Sequence, residues 1–132
     1  MRHFIAYHNN QKMGRALHEG QPLRVLTNKT VDHLLQNTVW FVTREGSQAR
    51  EYSLGSVFRV AETGDVTEGH FQRFATGTGH VFMPPAPIHE MEWFPDLLRS
   101  TGNFAFGVTE IKNDAVIAGL MWLASQAGYE VN

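Results

Sequence analysis

The alternation of apolar and polar positions predicts strands over most of the first two thirds of the chain. Residues 3–7 alternate weakly and stop at Asn9-Asn10, a turn signal, which gives a first strand. Leu23-Arg24-Val25-Leu26-Thr27 alternates in the same way and gives a second. Gly14, Gly20 and Pro22 limit any helix between them to a short one. Val31, Leu34 and Leu35 suit a short helix capped by Thr30 or Asp32.

The strongest pattern is a hairpin at roughly residues 38–62. Thr38-Val39-Trp40-Phe41-Val42-Thr43 is β-branched and aromatic throughout. A polar turn, Arg44 to Gln48, leads into Glu51–Val60, which alternates with Tyr52, Leu54, Ser56, Phe58 and Val60 on one face. Gly55 lies inside that run, and an interior glycine marks a bulge, a bend or a close backbone approach. A bent strand is what a small closed barrel needs at its corners. Glu62-Thr63-Gly64-Asp65 reads as a turn. Strands near 69–74 and 80–83 are separated by Thr76-Gly77-Thr78-Gly79, and Pro84-Pro85-Ala86-Pro87 runs extended.

The last third changes period. Pro95 suits the first turn of a helix ending near Gly102, and Asn103–Ile111 reads as a strand. Asn113 or Asp114 caps a final helix from Ala115 to about Gln126, closed by Gly128. No charged residue occurs between Asp114 and Glu130, so this helix is expected to be buried on most sides, packed across a barrel or in a subunit interface. The elements add up to one α+β domain over residues 1–132, a small bent mixed β-barrel with two or three flanking helices.

Composition narrows the chemistry. The 132 residues are 42% hydrophobic, enough for one core without a staple. There is no cysteine, which excludes disulfides, thiolate metal sites and cysteine nucleophiles. The amino-terminal apolar run is too short for a signal peptide, no stretch reaches membrane-span length, and the chain reads as cytoplasmic. Net charge is −2, but residues 1–59 carry eight Lys or Arg against four Asp or Glu, and residues 60–132 carry three against nine. Either the basic half forms a phosphate-binding face, or the halves interleave and the asymmetry vanishes.

Catalytic and metal motifs are missing. None of the seven histidines completes a ligand motif: His18 and His89 each precede a glutamate, but Pro22 and Trp93 stand where a second histidine would be needed. Gly77-Thr78-Gly79 opens a dinucleotide fingerprint that Phe82 and Pro84 break, and no Walker or Gly-x-Ser-x-Gly motif occurs. No catalytic residue, metal or cofactor is implied. Glu90 and Glu92 beside Trp93 are the available acid/base candidates. What remains is an aromatic set, Tyr7, Trp40, Tyr52, Trp93 and Phe94, near Arg24, Lys29, Arg44 and Arg50. Aromatic faces stack on bases, and cations hold phosphates. Tyr52 shares a face with Leu54 and Phe58, which favours the core; Trp93, after the proline-rich run, favours a cleft wall.

Several segments together resemble PUA-like domains, in particular the EVE-type and SRA-type modules found beside HNH nucleases in bacterial restriction systems. They are Phe4-Ile5-Ala6-Tyr7-His8-Asn9 with Lys12-Met13-Gly14, Trp40-Phe41-Val42, Tyr52 to Phe58, and Gly102-Asn103-Phe104-Ala105-Phe106-Gly107. The resemblance implies a bent barrel that draws a modified or flipped base into an aromatic pocket, in DNA ahead of RNA. It implies Trp40 and Trp93 as pocket walls, Tyr7, His8 and Asn9 at the mouth, Asn28 and Lys29 on the backbone or base edge, and Gly102-Asn103 fixing a supporting strand. Arg24, Arg44 and Arg50 are the phosphate-binding candidates. No nuclease motif is present, and the acidic second half departs from a tight duplex binder. The leading expectation is therefore a non-enzymatic nucleic-acid-binding module. The rivals are a protein or small enzyme binding a nucleotide-like small molecule in the same cleft, and a homodimeric module joined through the last helix.

Overall fold

β-branched and aromatic residues at every position from Thr38 to Thr43 favour a strand that can be covered on both faces, and this segment occupies the interior of the sheet. The computed structural model describes residues 1–9, 23–44, 52–102, 104 and 107–131. Six strands are formed: β1 (His3–Asn9), β2 (Leu23–Thr27), β3 (Thr38–Arg44), β4 (Tyr52–Glu68), β5 (Phe71–Pro87) and β6 (Thr109–Ile111). Two α-helices follow in the same described residues, α1 (Phe94–Ser100) and α2 (Asp114–Gln126). The order across the sheet is β2-β5-β4-β3-β1-β6, with β1 parallel to β3 and every other pair antiparallel.

The hairpin expected at 38–62 is β3–β4, and its bend is real. Phe41 faces Ser56 and Val42 faces Leu54, so Gly55 is the extra residue of a bulge. The second strand has the expected bounds.

Other expectations give way. Gly64 makes no turn: it pairs with Phe74 inside one long antiparallel ladder, where the Phe74 ring covers its missing side chain. The break expected at Thr76–Gly79 is also strand, because Gly77 and Gly79 let the β5 backbone approach Arg59 and Val57 of β4 more closely than a Cβ would allow. The turn is at Gly69-His70. The short helix near residue 32 is a 3-10 turn, Asp32–Leu34, without a side-chain cap. The strand expected from 103 shortens to Thr109–Ile111, and Asn103, Ala105 and Phe106 lie outside the described residues.

The barrel is not closed: among the described residues no ladder joins β2 to β6. The sheet instead has a core on each face. Phe4, Ala6, Leu23, Val25, Val39, Phe41, Phe58 and Val60 share one cluster, which brings β1 and β2 together although three strands separate them in the sheet. The Lys29 ammonium reaches from the end of β2 to the Val108 carbonyl beside β6 (3.3 Å). The opposite face, with Ile5, Trp40, Val42, Leu54 and Val57, packs on Leu97 of α1 and Val116, Leu120, Leu123 and Ala124 of α2.

α2 starts where its cap dictates: the Asn113 side-chain oxygen accepts from the Ala115 and Val116 amides. Its burial is one-sided, contrary to expectation. Val116, Leu120, Leu123 and Ala124 face inward, while Ala118, Met121, Trp122 and Ser125 are exposed. The outer positions are neutral, and a lack of charge does not by itself bury a face. No helix among the described residues is long and apolar enough to cross a membrane.

His3 supplies a pH-dependent term. It is 7% exposed, stacks on Trp40 and accepts the Trp40 indole N–H on Nδ1 at 3.0 Å. Burial, and secondarily the N-terminal amine, push its pKa below 6.5. The unfolded chain therefore takes up this proton at higher pH than the folded one. The stability His3 lends is complete above about 6.5 and lost as pH falls from there toward the depressed folded value. Melting temperature is expected to drop between pH 7.5 and 5, and His3→Asn, which can offer Oδ1 in place of Nδ1, is expected to flatten that slope. An unchanged slope in the variant would remove His3 from the account.

Candidate functional site

The residues that end β1 and β3 and begin β4 meet at one end of the sheet. Tyr7 pairs with Val42, and Arg44 pairs with both Asn9 and Tyr52. Directly paired residues project to the same side, so Tyr7, Arg44 and Tyr52 share the face that carries the helices. The Phe104 ring stacks on Tyr7 (centroids 5.4 Å, 16° between planes) and meets Tyr52 at 5.1 Å. Phe94 of α1 closes on Tyr52 at 5.5 Å. Phe94 and Phe104 are buried, whereas Tyr7 and Tyr52 are half-buried. The result is a fixed aromatic floor under two tyrosines that keep part of their surface in water.

Local structure after α1 places Phe104. The Thr101 hydroxyl donates to the Leu97 carbonyl (2.9 Å) and accepts the Phe104 amide (3.2 Å). Phe104 is held at φ 65°, a left-handed conformation that a phenylalanine adopts only when its surroundings compensate for the strain. Its two ring contacts with Tyr7 and Tyr52 supply that compensation.

Burial raises the Tyr7 phenol above its ordinary value of 10.0, and the Arg44 charge acts against the rise. Tyr7 therefore remains a neutral hydroxyl and does not neutralise Arg44. The Arg44 Nε is withdrawn from solvent and has no acceptor among the described residues.

The other predicted residues divide. Trp40 is 0% exposed and belongs to the core, bound through its N–H to His3, so it walls no ligand pocket. The reason is its register opposite Ile5 and Val57, both fully buried under the helices. Trp93 is half-buried with its indole seated on Gly119 of α2, where a Cβ would collide with it, so it does not face Trp40 across a slot. Arg24 is paired with Glu68 at 2.8 Å.

Asn28 and Lys29 are engaged elsewhere in the fold. The Asn28 side-chain oxygen accepts the Gln72 amide, its carbonyl accepts from Arg73, and Lys29 is held to Val108. The backbones of His8 and Asn9 continue β1 beyond Tyr7. Arg50 and Asn103 lie outside the described residues. Glu90 is exposed and meets only His89, at 3.8 Å, and Glu92 is also exposed, so no buried carboxyl sits beside Trp93. Among the described residues no group of three or more His, Cys, Asp or Glu could hold a metal ion.

Sequence reasoning assigned Tyr52 to the core and missed Phe104. The bulge explains Tyr52: the extra residue at Gly55 reverses the alternation, so Tyr52 and Leu54 lie on the opposite face from Phe58. Gly102 and Gly107, both at positive φ, were the available signal close to Phe104 in the sequence.

Among the described residues, two cations of the basic half are paired with acids of the other half. Arg2 of the first half binds Glu110 of the second through two nitrogens, at 2.8 and 3.0 Å, and Arg24 binds Glu68. Comparison with family models, with curated proteins and with solved structures found no match.

Proposed function

We propose that this chain is a non-enzymatic nucleic-acid-binding module of PUA-like type that receives a flipped or modified base against Tyr7 and Tyr52. One observation carries the reading: two half-exposed tyrosines stand on a rigid aromatic floor, Phe104 and Phe94, at a strand end that also carries Arg44. A planar ligand gains stacking area there without ordering the rings, since they are already packed. Arg44, the one arginine at this strand end among the described residues, and the paired state of Arg2 and Arg24 suit a short single strand or an extruded base more than a tracked duplex.

Binding of modified and unmodified oligonucleotides at two salt concentrations tests this. Salt-dependent binding is expected. Tyr7→Ala is expected to weaken it about tenfold, in line with roughly 1–3 kcal/mol per stacked base. No binding to any oligonucleotide, or full affinity in Tyr7→Ala, would overturn the reading.

One observation favours the dimer reading. Trp122 is 56% exposed on the uncharged outer face of α2, next to the exposed Met121. Light scattering across a concentration series separates the two, since a monomer at every concentration removes the dimer.

A further inference from the structure

Most cations in the described residues are occupied. Arg2 is bound to Glu110, Arg24 to Glu68, Arg99 to Asp96, Arg73 to the Asn28 carbonyl and Lys29 to the Val108 carbonyl. Arg59 and Lys112 are exposed. Arg44 differs from all of these. It is half-buried, its Nε is shut off from solvent, and no acceptor among the described residues meets that N–H. A guanidinium is charged at every working pH, so it cannot relieve the deficit by losing a proton. A buried N–H on a charged group without a partner is unfavourable, which favours turning the guanidinium outward to meet an anion and form charge-assisted bonds. The neighbouring Tyr7 phenol stays neutral and offers no counter-charge.

Position decides what kind of anion fits. Arg44 stands directly opposite Tyr52 in the β3–β4 ladder and on the same face as Tyr7. An oxyanion on the guanidinium therefore lies within one side chain's reach of the two half-buried tyrosine rings. A phosphate has adjacent oxygens that match the Nε and Nη edge of arginine as a two-bond fork. We infer that Arg44 is the anion anchor of the aromatic cluster and that its ligand is a nucleotide phosphate, bound by that edge once the guanidinium turns outward, while the attached base lies on Tyr7 and Tyr52. The inference rests on the base-binding reading. The phosphate can belong to a free mononucleotide or to the strand that carries the base.

Calorimetric titration of the intact chain with nucleosides, their 5′-monophosphates, and a short single strand with and without a 5′-phosphate tests it. The monophosphate is expected to bind at least about tenfold tighter than its nucleoside, the gain of a hydrogen-bonded charge pair. Arg44→Met is expected to erase that difference. Arg44→Lys keeps the charge without the fork and is expected to recover only part of it. Circular dichroism confirms that each variant is folded, and the lysine variant carries the test should the methionine variant fail. A gain for mononucleotides alone assigns a free nucleotide, and a gain for the phosphorylated strand as well assigns a strand phosphate. Nucleosides and monophosphates binding equally to the native chain would overturn the inference and leave the base reading standing. So would a phosphate gain undiminished in Arg44→Met and Arg44→Lys. No binding by nucleoside, monophosphate or strand would overturn both.

Discussion

Gly77→Ala is expected to cost about 3 kcal/mol or more, and to lower the melting temperature by roughly 10 °C or more for a chain of this size. The added methyl would overlap the Arg59 carbonyl oxygen, which belongs to the adjacent strand and cannot swing aside as a side-chain end could. Relief requires separating β4 from β5, the longest ladder in the sheet, near the point where β2 is also paired through Leu23 and Gly77. Gly69→Ala is the comparison. Gly69 sits in the β4–β5 turn with nothing near its missing Cβ, so only its φ of 61° opposes the change. Its cost is expected near 1 kcal/mol. Denaturant midpoints of the two variants measure the contrast. Equal costs would mean that the strands part easily at Gly77 and that backbone conformation alone decides both.

These glycines also show why the strand plan was only partly legible. Local composition makes Thr76-Gly77-Thr78-Gly79 and Glu62-Thr63-Gly64-Asp65 look like turns, because glycine most often serves turns. Whether it instead admits a neighbouring backbone or an overlying ring depends on what lies across the ladder, here Arg59, Val57 and Phe74, which sequence spacing does not reveal. Gly55 was readable because it interrupts a clean alternation, and one extra residue in such a run has few outcomes besides a bulge. Asn113 and Gly128 were readable for a similar reason: a cap acts on amides two or three residues away, and a glycine at φ 82° ends the helix by its own conformation.

The candidate site follows the same logic. Tyr7 and Arg44 were singled out as an aromatic and a cation at strand ends, and β1–β3 pairing brings them to one edge. Phe104 could not be placed from sequence, because its contacts with Tyr7 and Tyr52 join positions 97 and 52 residues away along the chain. Trp40 was misplaced for a physical reason. Size and stacking capacity suit tryptophan to ligand walls and to cores alike. Burial of Trp40 follows from both β-neighbours, Ile5 and Val57, being sealed under the helices.

Trp40 therefore gives the sharpest separation between holding the fold and holding a ligand. Trp40→Ala is expected to cost about 3–5 kcal/mol, since it empties a large fully enclosed volume in the middle of the sheet. Trp40→Phe keeps much of the apolar contact but removes the N–H that His3 accepts, leaving the imidazole Nδ1 buried without its donor. Its expected cost is about 1–3 kcal/mol. The effect should be coupled to His3: in His3→Leu, which offers no acceptor, the same Trp40→Phe change should cost less, because the bond the two side chains share is already gone. Ligand affinity moves the other way. Trp40→Phe, assayed well below its melting temperature, is expected to bind oligonucleotide within about twofold of the native chain. Tyr7→Ala should lose about tenfold in binding. Its stability loss should be smaller than that of Trp40→Ala, because the Tyr7 ring is only half-buried. The result that would reverse this assignment is a Trp40→Phe chain of native stability that no longer binds. Such a chain would put the indole in contact with ligand, and the helices covering it would have to move aside to admit one.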